Sequence, residues 1–179
     1  FPLIAHGLLI TMFSFSAISF SRLSRGYSSF IDGTAFLVCL ANATGIFLLL
    51  RISDEFKDHE DDKKYRKYLP VIRGLVTLKE LKWLGIIVFS GLVLLNIFYD
   101  FRLFLVFLPI VIYLFLMRVE FFVPKWLKAH HFWYVISHMM IIPIVDIYAS
   151  SFDWMLGGGT APVAMRLFFA VSFLSSSKN

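Results

Sequence analysis

The sequence predicts an all-α, polytopic transmembrane bundle, and three observations carry that prediction. Apolar residues make up 59% of the 179 positions, with 21 phenylalanines, against roughly 45–50% for a soluble domain. Long windows are free of charge, and each approaches the roughly 20 apolar residues that cross a bilayer core at about 1.5 Å per residue. None of these windows alternates apolar and polar residues as a barrel strand does, so helices, which satisfy their own backbone hydrogen bonds, are the spanning element.

In chain order the windows are Phe1–Ser21, Gly33–Leu50, Trp83–Tyr99, Leu103–Met117, Ala129–Val145 and a sixth, Thr160–Ser177, broken by Arg166. The first has no basic residues before it and further spans behind it, so it reads as a transmembrane helix and not as a signal peptide. No internal repeat is visible. Because the chain begins with Phe1 and stops at Asn179 directly after the sixth window, it is expected to be one incomplete membrane domain, residues 1–179, of a longer protein.

The chain has 17 basic and 12 acidic residues, net +5, but the charges are bunched between Arg51 and Lys82. That distribution excludes a disordered chain and a basic nucleic-acid-binding protein, which would spread its cations over a hydrophilic surface. The single cysteine, Cys39, excludes an intrachain disulfide framework and a thiolate metal site. Lys and Arg are concentrated between spans 2 and 3 and between spans 4 and 5 (Arg118, Lys125, Lys128), whereas the other side carries Arg22, Arg25 and Arg102. By the positive-inside rule the segment 51–82 is cytoplasmic, as are the N-terminus and the end of span 6.

The segment Arg51–Leu75 reads RISDEFKDHEDDKKYRKYLPVIRGL. No Gly or Pro lies between Leu48 and Leu69, so the helix of span 2 is expected to leave the membrane and continue into the acidic run. At about 100° per residue, Asp54 at zero places Asp58 at about 40°, Asp62 at about 80° and Asp61 at about −20°. Carboxylates stacked on one face repel, and a hard divalent cation offsets the repulsion: Mg²⁺ is commonly held by one or two carboxylates plus substrate phosphates. Lys57, Lys63, Lys64, Arg66, Lys67 and Arg73 then supply donors to phosphate oxygens. A solvated, salt-bridged loop has the same composition, and spacing alone leaves Asp61 and Asp62 as alternatives.

Asp54, Asp58 and Asp62 at four-residue intervals, followed by a basic run and Pro70-Val71-Ile72-Arg73-Gly74 between spans 2 and 3, resemble the first Asp-rich motif of UbiA-type intramembrane prenyltransferases. LMRVEFFVPKWL (Leu116–Leu127) and SHMMIIPIVDIYA (Ser137–Ala149) are also similar to bacterial members of that family, so the resemblance runs the length of the chain. It implies nine helices, six of them present here, around a cavity open to lipid in a bacterial inner (plasma) membrane. It further implies Mg²⁺ as cofactor, a polyprenyl diphosphate as donor substrate and a lipophilic or aromatic acceptor. The usual motif is NxxxDxxxD, so Asp54 stands where the family has Asn and adds a negative charge there. The site residues implied are catalytic Asp54, Asp58 and Asp62; metal ligands Asp54, Asp58, Asp61 and Asp62; and diphosphate-binding Arg51, Lys57, Lys64, Arg66 and Arg73. The family's second Asp-rich motif would follow span 6, and a chain without it is expected to be inactive alone.

Polar groups within spans are expensive in hydrocarbon and are read individually. His138 is expected to hydrogen-bond a neighbouring helix or to serve an acceptor, and Asp146 to lie near the non-cytoplasmic end of span 5, paired with Arg166. Asn42 and Asn96 are expected to bond between helices, with Gly45, Gly85 and Gly91 permitting close approach. Pro109 and Pro143 are expected to kink their helices, and Arg118 and Glu120 to form an ion pair. Phe47, Leu48, Phe89 and Phe98 are candidate contacts for an isoprenoid tail. Asp32-Gly33 begins like the DGxxAR pattern of CDP-alcohol phosphotransferases, but the Ala and Arg are missing. Gly157-Gly158-Gly159 opens no helix and is not a phosphate loop. A transporter or non-catalytic protein with a cation-binding acidic loop is the competing class.

Overall fold

The computed structural model describes residues 3–157 and 159. The elements are α1 (Leu3–Ser24), α2 (Gly33–Lys57), α3 (His59–Tyr65), α4 (Leu78–Tyr99), α5 (Phe101–Arg118), a 3-10 turn (Glu120–Phe122), α6 (Pro124–Ala129), α7 (His131–Met139) and α8 (Ile141–Trp154). The described residues contain no strand. Five stretches are long and apolar enough to cross a membrane: His6–Ser24, Gly33–Lys57, Leu78–Tyr99, Phe101–Arg118, and His131–Trp154, which joins α7 to α8. The described residues are therefore those of a multi-pass membrane protein and, outside their turns and loops, are helical. The window Thr160–Ser177, with Arg166, lies outside the described residues.

Local chemistry sets the helix ends. Asp32 caps α2 by accepting from the Thr34 and Ala35 N–H groups, and Thr77 opens α4 with a capping box to Glu80. Asp100 ends α4 and caps α5 through the Arg102 N–H, so a single residue turns the chain between two spans.

The fifth span departs from expectation. It starts at His131 and runs through Trp154, well past Val145, with the helix interrupted at Met140. Pro143 has no N–H to offer the Met139 carbonyl, which is where α7 stops. Asp146 accordingly sits in the interior of α8 and is buried, not near the end of the span. The window breaks at Asp146 in the sequence because a carboxylate is costly in lipid. In the fold α8 packs on α1, α2 and α5, so its acids meet protein.

That central position of α8 organises the core. Tyr148, Ala149 and Phe152 lie fully buried against Ile18 of α1, Cys39 and Ile46 of α2, and Leu103, Phe107 and Ile110 of α5. On α2 and α4, Asn96 donates to Asn42 Oδ1 at 2.7 Å, the interhelical bond expected of that pair. One turn away, a Cβ on Gly45 would sit 2.7 Å from Leu92 Cδ2, so glycine sets this approach. Gly91, by contrast, has open space beside it and permits no close contact. The outer face of α4 is apolar and exposed at Ile87, Leu94 and Phe98, as a lipid-facing helix requires.

Candidate functional site

The acidic segment keeps its helical register across the end of the span. Asp58 donates its N–H to the Asp54 carbonyl, Asp62 to that of Asp58, and Arg66 to that of Asp62, each at 2.8 Å. Asp58 itself leaves helical geometry (φ −93°, ψ 2°), which separates α2 from α3 without breaking this ladder. The helix thus continues past the span as expected, with a bend at Asp58, and ends at Tyr65.

The acids differ in surroundings. Asp54 and Asp58 are half-buried and within electrostatic reach of each other and of Lys57. Asp62 is buried, 3.6 Å from Arg66, whereas Asp61 is exposed. The choice that spacing left open between these two is thus one between a buried, paired carboxylate and a solvated one. Glu60 is fully exposed and bonds Lys63 at 2.8 Å, which holds its carboxyl below the usual range.

The basic residues divide similarly. Arg51 pairs with Glu55 one turn on, Arg66 takes Asp62, and Lys64 and Arg73 are exposed. Lys57 turns inward: its ammonium donates to the Tyr134 hydroxyl at 2.9 Å and lies 3.3 Å from His138 Nε2. His138 Nδ1 is 2.9 Å from the Tyr134 carbonyl, so a proton on Nδ1 serves that carbonyl and leaves Nε2 to accept from Lys57. The Tyr134 and His138 rings stack at 4.2 Å, and the Tyr113 hydroxyl donates to the Ser137 carbonyl at 2.6 Å, fixing α5 to the same helix. His138 therefore bonds across to α2.

Asp58 and Glu120 both lie within electrostatic reach of His138. Glu120 is buried, and its Oε2 has no hydrogen-bond partner. It opens three consecutive left-handed residues, Glu120, Phe121 and Phe122 (φ 47°, 54° and 62°), a conformation L side chains adopt at a cost. The expected Arg118–Glu120 ion pair does not form. Arg118 instead lies over the Phe56 ring, 5.4 Å from its centroid, because the left-handed turn carries Glu120 away from the end of α5.

Among the described residues no three Asp, Glu, His or Cys side chains converge to hold a metal. A resident all-protein site is thus unsupported. Asp54 and Asp58, one turn apart, are the one or two carboxylates that Mg²⁺ takes when a phosphate-bearing ligand supplies further oxygens, and to that extent the donor set fits.

Cavities flank the bundle at both ends of the described residues. One of about 350 Å³ lies between α2, α4 and α5 and is lined by Phe56, Phe89 and Phe115, with Lys82 and Arg118. Phe56 is about 160° around the helix from Asp58, so this cavity and the acids occupy opposite faces of α2. Of the candidate tail contacts, Phe89 lines this cavity, Phe47 packs edge-on to Phe13, and Phe98 is 82% exposed. The second, about 480 Å³, lies at the opposite end of the bundle beside Arg22, Asp32, Tyr99 and Asp153. There Asp153, with a fully buried side chain, joins Arg22 at 3.1 Å, Arg25 at 3.2 Å and Ser21 at 2.8 Å. Sequence reasoning missed Asp153 and Tyr134. The signals were present: two arginines on an otherwise apolar rim need an acid, and Tyr134 is four residues from His138 on the same helical face.

The chain has no match among protein families, curated proteins or solved structures.

Proposed function

We propose that this chain is part of a Mg²⁺-dependent intramembrane prenyltransferase of the UbiA type, acting on a polyprenyl diphosphate at the cytoplasmic rim of a bacterial inner membrane. The supporting observation is the unbroken register of Asp54, Asp58 and Asp62, whose first two members are half-buried within electrostatic reach of Lys57, the cation that Tyr134 and His138 hold. Bound Mg²⁺ would neutralise charge on the diphosphate. In this reading Asp54 and Asp58 supply the protein's share of its ligands, and Asp62 positions Arg66. Lys57, oriented by Tyr134 and His138, offers a charge-assisted bond to a phosphate oxygen, and Lys64 and Arg73 add exposed donors. The allylic C–O bond breaks with its electron pair leaving on the diphosphate. The acceptor, lipophilic or aromatic, bonds to the allylic carbon and loses a proton. The reaction requires that water be kept from the allylic carbon.

The test is transfer of radiolabelled polyprenyl groups by the whole protein in nanodiscs. Activity should require Mg²⁺, and Asp58→Asn should lower it by at least about 100-fold, the scale of losing one preorganised electrostatic group. Undiminished transfer by Asp58→Ala at saturating Mg²⁺ would refute the role given to that residue.

One observation favours a second reading. His138, Asp146 and Asp153 lie along α7 and α8, the last two buried, and ionisable groups inside a membrane bundle commonly line an ion path. Proteoliposomes that carry Asp146-dependent cation flux but transfer no prenyl group would establish that reading instead.

A further inference from the structure

The cavity between α2, α4 and α5 is polarised along the membrane normal. Lys82 lies near the start of α4 and Arg118 is the last residue of α5, so both stand at the level where α2 leaves the span. Below them the wall is hydrocarbon and aromatic: Ile86 and Phe89 one and two turns deeper on α4, Leu114 and Phe115 on α5. No carboxylate is among the lining residues, and the Ser53 hydroxyl adds a donor. Of the four arginines on the described spanning helices, Arg22, Arg51 and Arg102 pair with acids. Arg118 does not; its guanidinium lies over the Phe56 ring, and both residues line the cavity. Gly85 lines the same wall, where a Cβ would stand in ordinary van der Waals contact with Ile52 at 3.5 Å and only a larger side chain would enter the slot.

We infer that this cavity binds an anionic phospholipid of the surrounding bilayer, its phosphate between Lys82 and Arg118 and one acyl chain along Phe89 and Phe115. Charge complementarity selects this occupant. Two cations without acidic partners above an apolar slot match an amphiphile with a negative head and a hydrocarbon tail, and basic pockets between spans at the cytoplasmic level hold anionic headgroups. The site is separate from the acidic face of α2 and does not depend on the prenyltransferase reading.

The experiment is native mass spectrometry of the intact chain, delipidated in detergent and titrated with phosphatidylglycerol or phosphatidylcholine of equal chain length. Phosphatidylglycerol should be retained in preference. Each cation near an anionic headgroup contributes roughly fivefold in affinity, so the Lys82→Gln/Arg118→Gln variant should bind it roughly 30-fold more weakly. Lys82→Arg should bind normally. Gly85→Leu should weaken both lipids by filling the slot, with helicity measured to show that the variant folds. Equal retention of the two lipids by the unaltered chain overturns the proposal, as does undiminished binding by the double glutamine variant. Displacement by glycerol phosphate as effective as by lipid would make the site a simple anion site. Preferential displacement by farnesyl diphosphate would assign the groove to an isoprenoid substrate, and either result rejects the phospholipid.

Discussion

Asn96 is held between two helices: its Nδ2 donates to Asn42 Oδ1 at 2.7 Å, and its own Oδ1 accepts from the Tyr148 hydroxyl at 2.6 Å. The three side chains are fully buried and join α2, α4 and α8 inside the bundle, one turn from the Asp100 end of α4, where no water offers an alternative partner. Asn96→Leu strands the Asn42 oxygen and the Tyr148 hydroxyl together and should destabilise by about 1–3 kcal/mol. Tyr148→Phe removes one bond and should cost about 1 kcal/mol. Unfolding in mixed micelles with increasing dodecyl sulfate measures both, and equal losses would show that the Tyr148 bond carries the whole effect.

Asp153 holds α8 to the end of α1 through Arg22 and Arg25, with its own side chain fully buried. Asp153→Ala leaves two guanidinium groups without their acid and should destabilise by about 3–5 kcal/mol, the range for breaking a buried pair from one side. Arg22→Ala leaves Arg25 in place and should have a smaller effect in the same unfolding titration. Similar losses for the two variants would mean that Arg25 does not compensate.

Gly45 faces Leu92 at a distance that admits no side chain, with 2.7 Å from the would-be Cβ to Leu92 Cδ2. Gly45→Ala should cost about 1–3 kcal/mol by overpacking. Adding Leu92→Ala should recover part of that loss, so the double variant is more stable than the two single effects summed predict. Strict additivity in the unfolding titration would show that the contact carries no strain.

Arg102 beside Asp100 holds that carboxyl below its ordinary value of 3.8, chiefly through the side-chain hydrogen bond. A carboxylate depressed in the folded state contributes stability that is complete above the ordinary value and is lost as pH falls through the lower folded value. Stability of the unaltered chain should therefore decline on acidification below about 4. Asn also caps helices well, so Asp100→Asn should preserve the turn while flattening that acid-side decline. Identical pH profiles would remove Asp100 from the account.

Much of the fold was legible because its signals are local. A charge-free window of bilayer length reports a helix wherever it occurs, and four expected windows fall on α1, α2, α4 and α5. The Asn42–Asn96 bond was legible too, since an amide in hydrocarbon demands a partner. The fifth span was misread at its far end because a charge-free window stops at Asp146 whether that carboxylate meets lipid or protein, and in the fold it is buried on α8 among α1, α2 and α5.

By itself the sequence determined the helical class, the membrane environment and the periodic stripe of Asp54, Asp58 and Asp62, since each follows from composition or from the 3.6-residue repeat. Tertiary structure decided which groups meet that stripe. It seated Lys57 on Tyr134 and His138, buried Asp62 while leaving Asp61 in solvent, and placed the apolar cavity on the other side of α2. A helix repeat specifies angles about its own axis, and only the packing of neighbouring helices assigns those angles to water, lipid or another side chain.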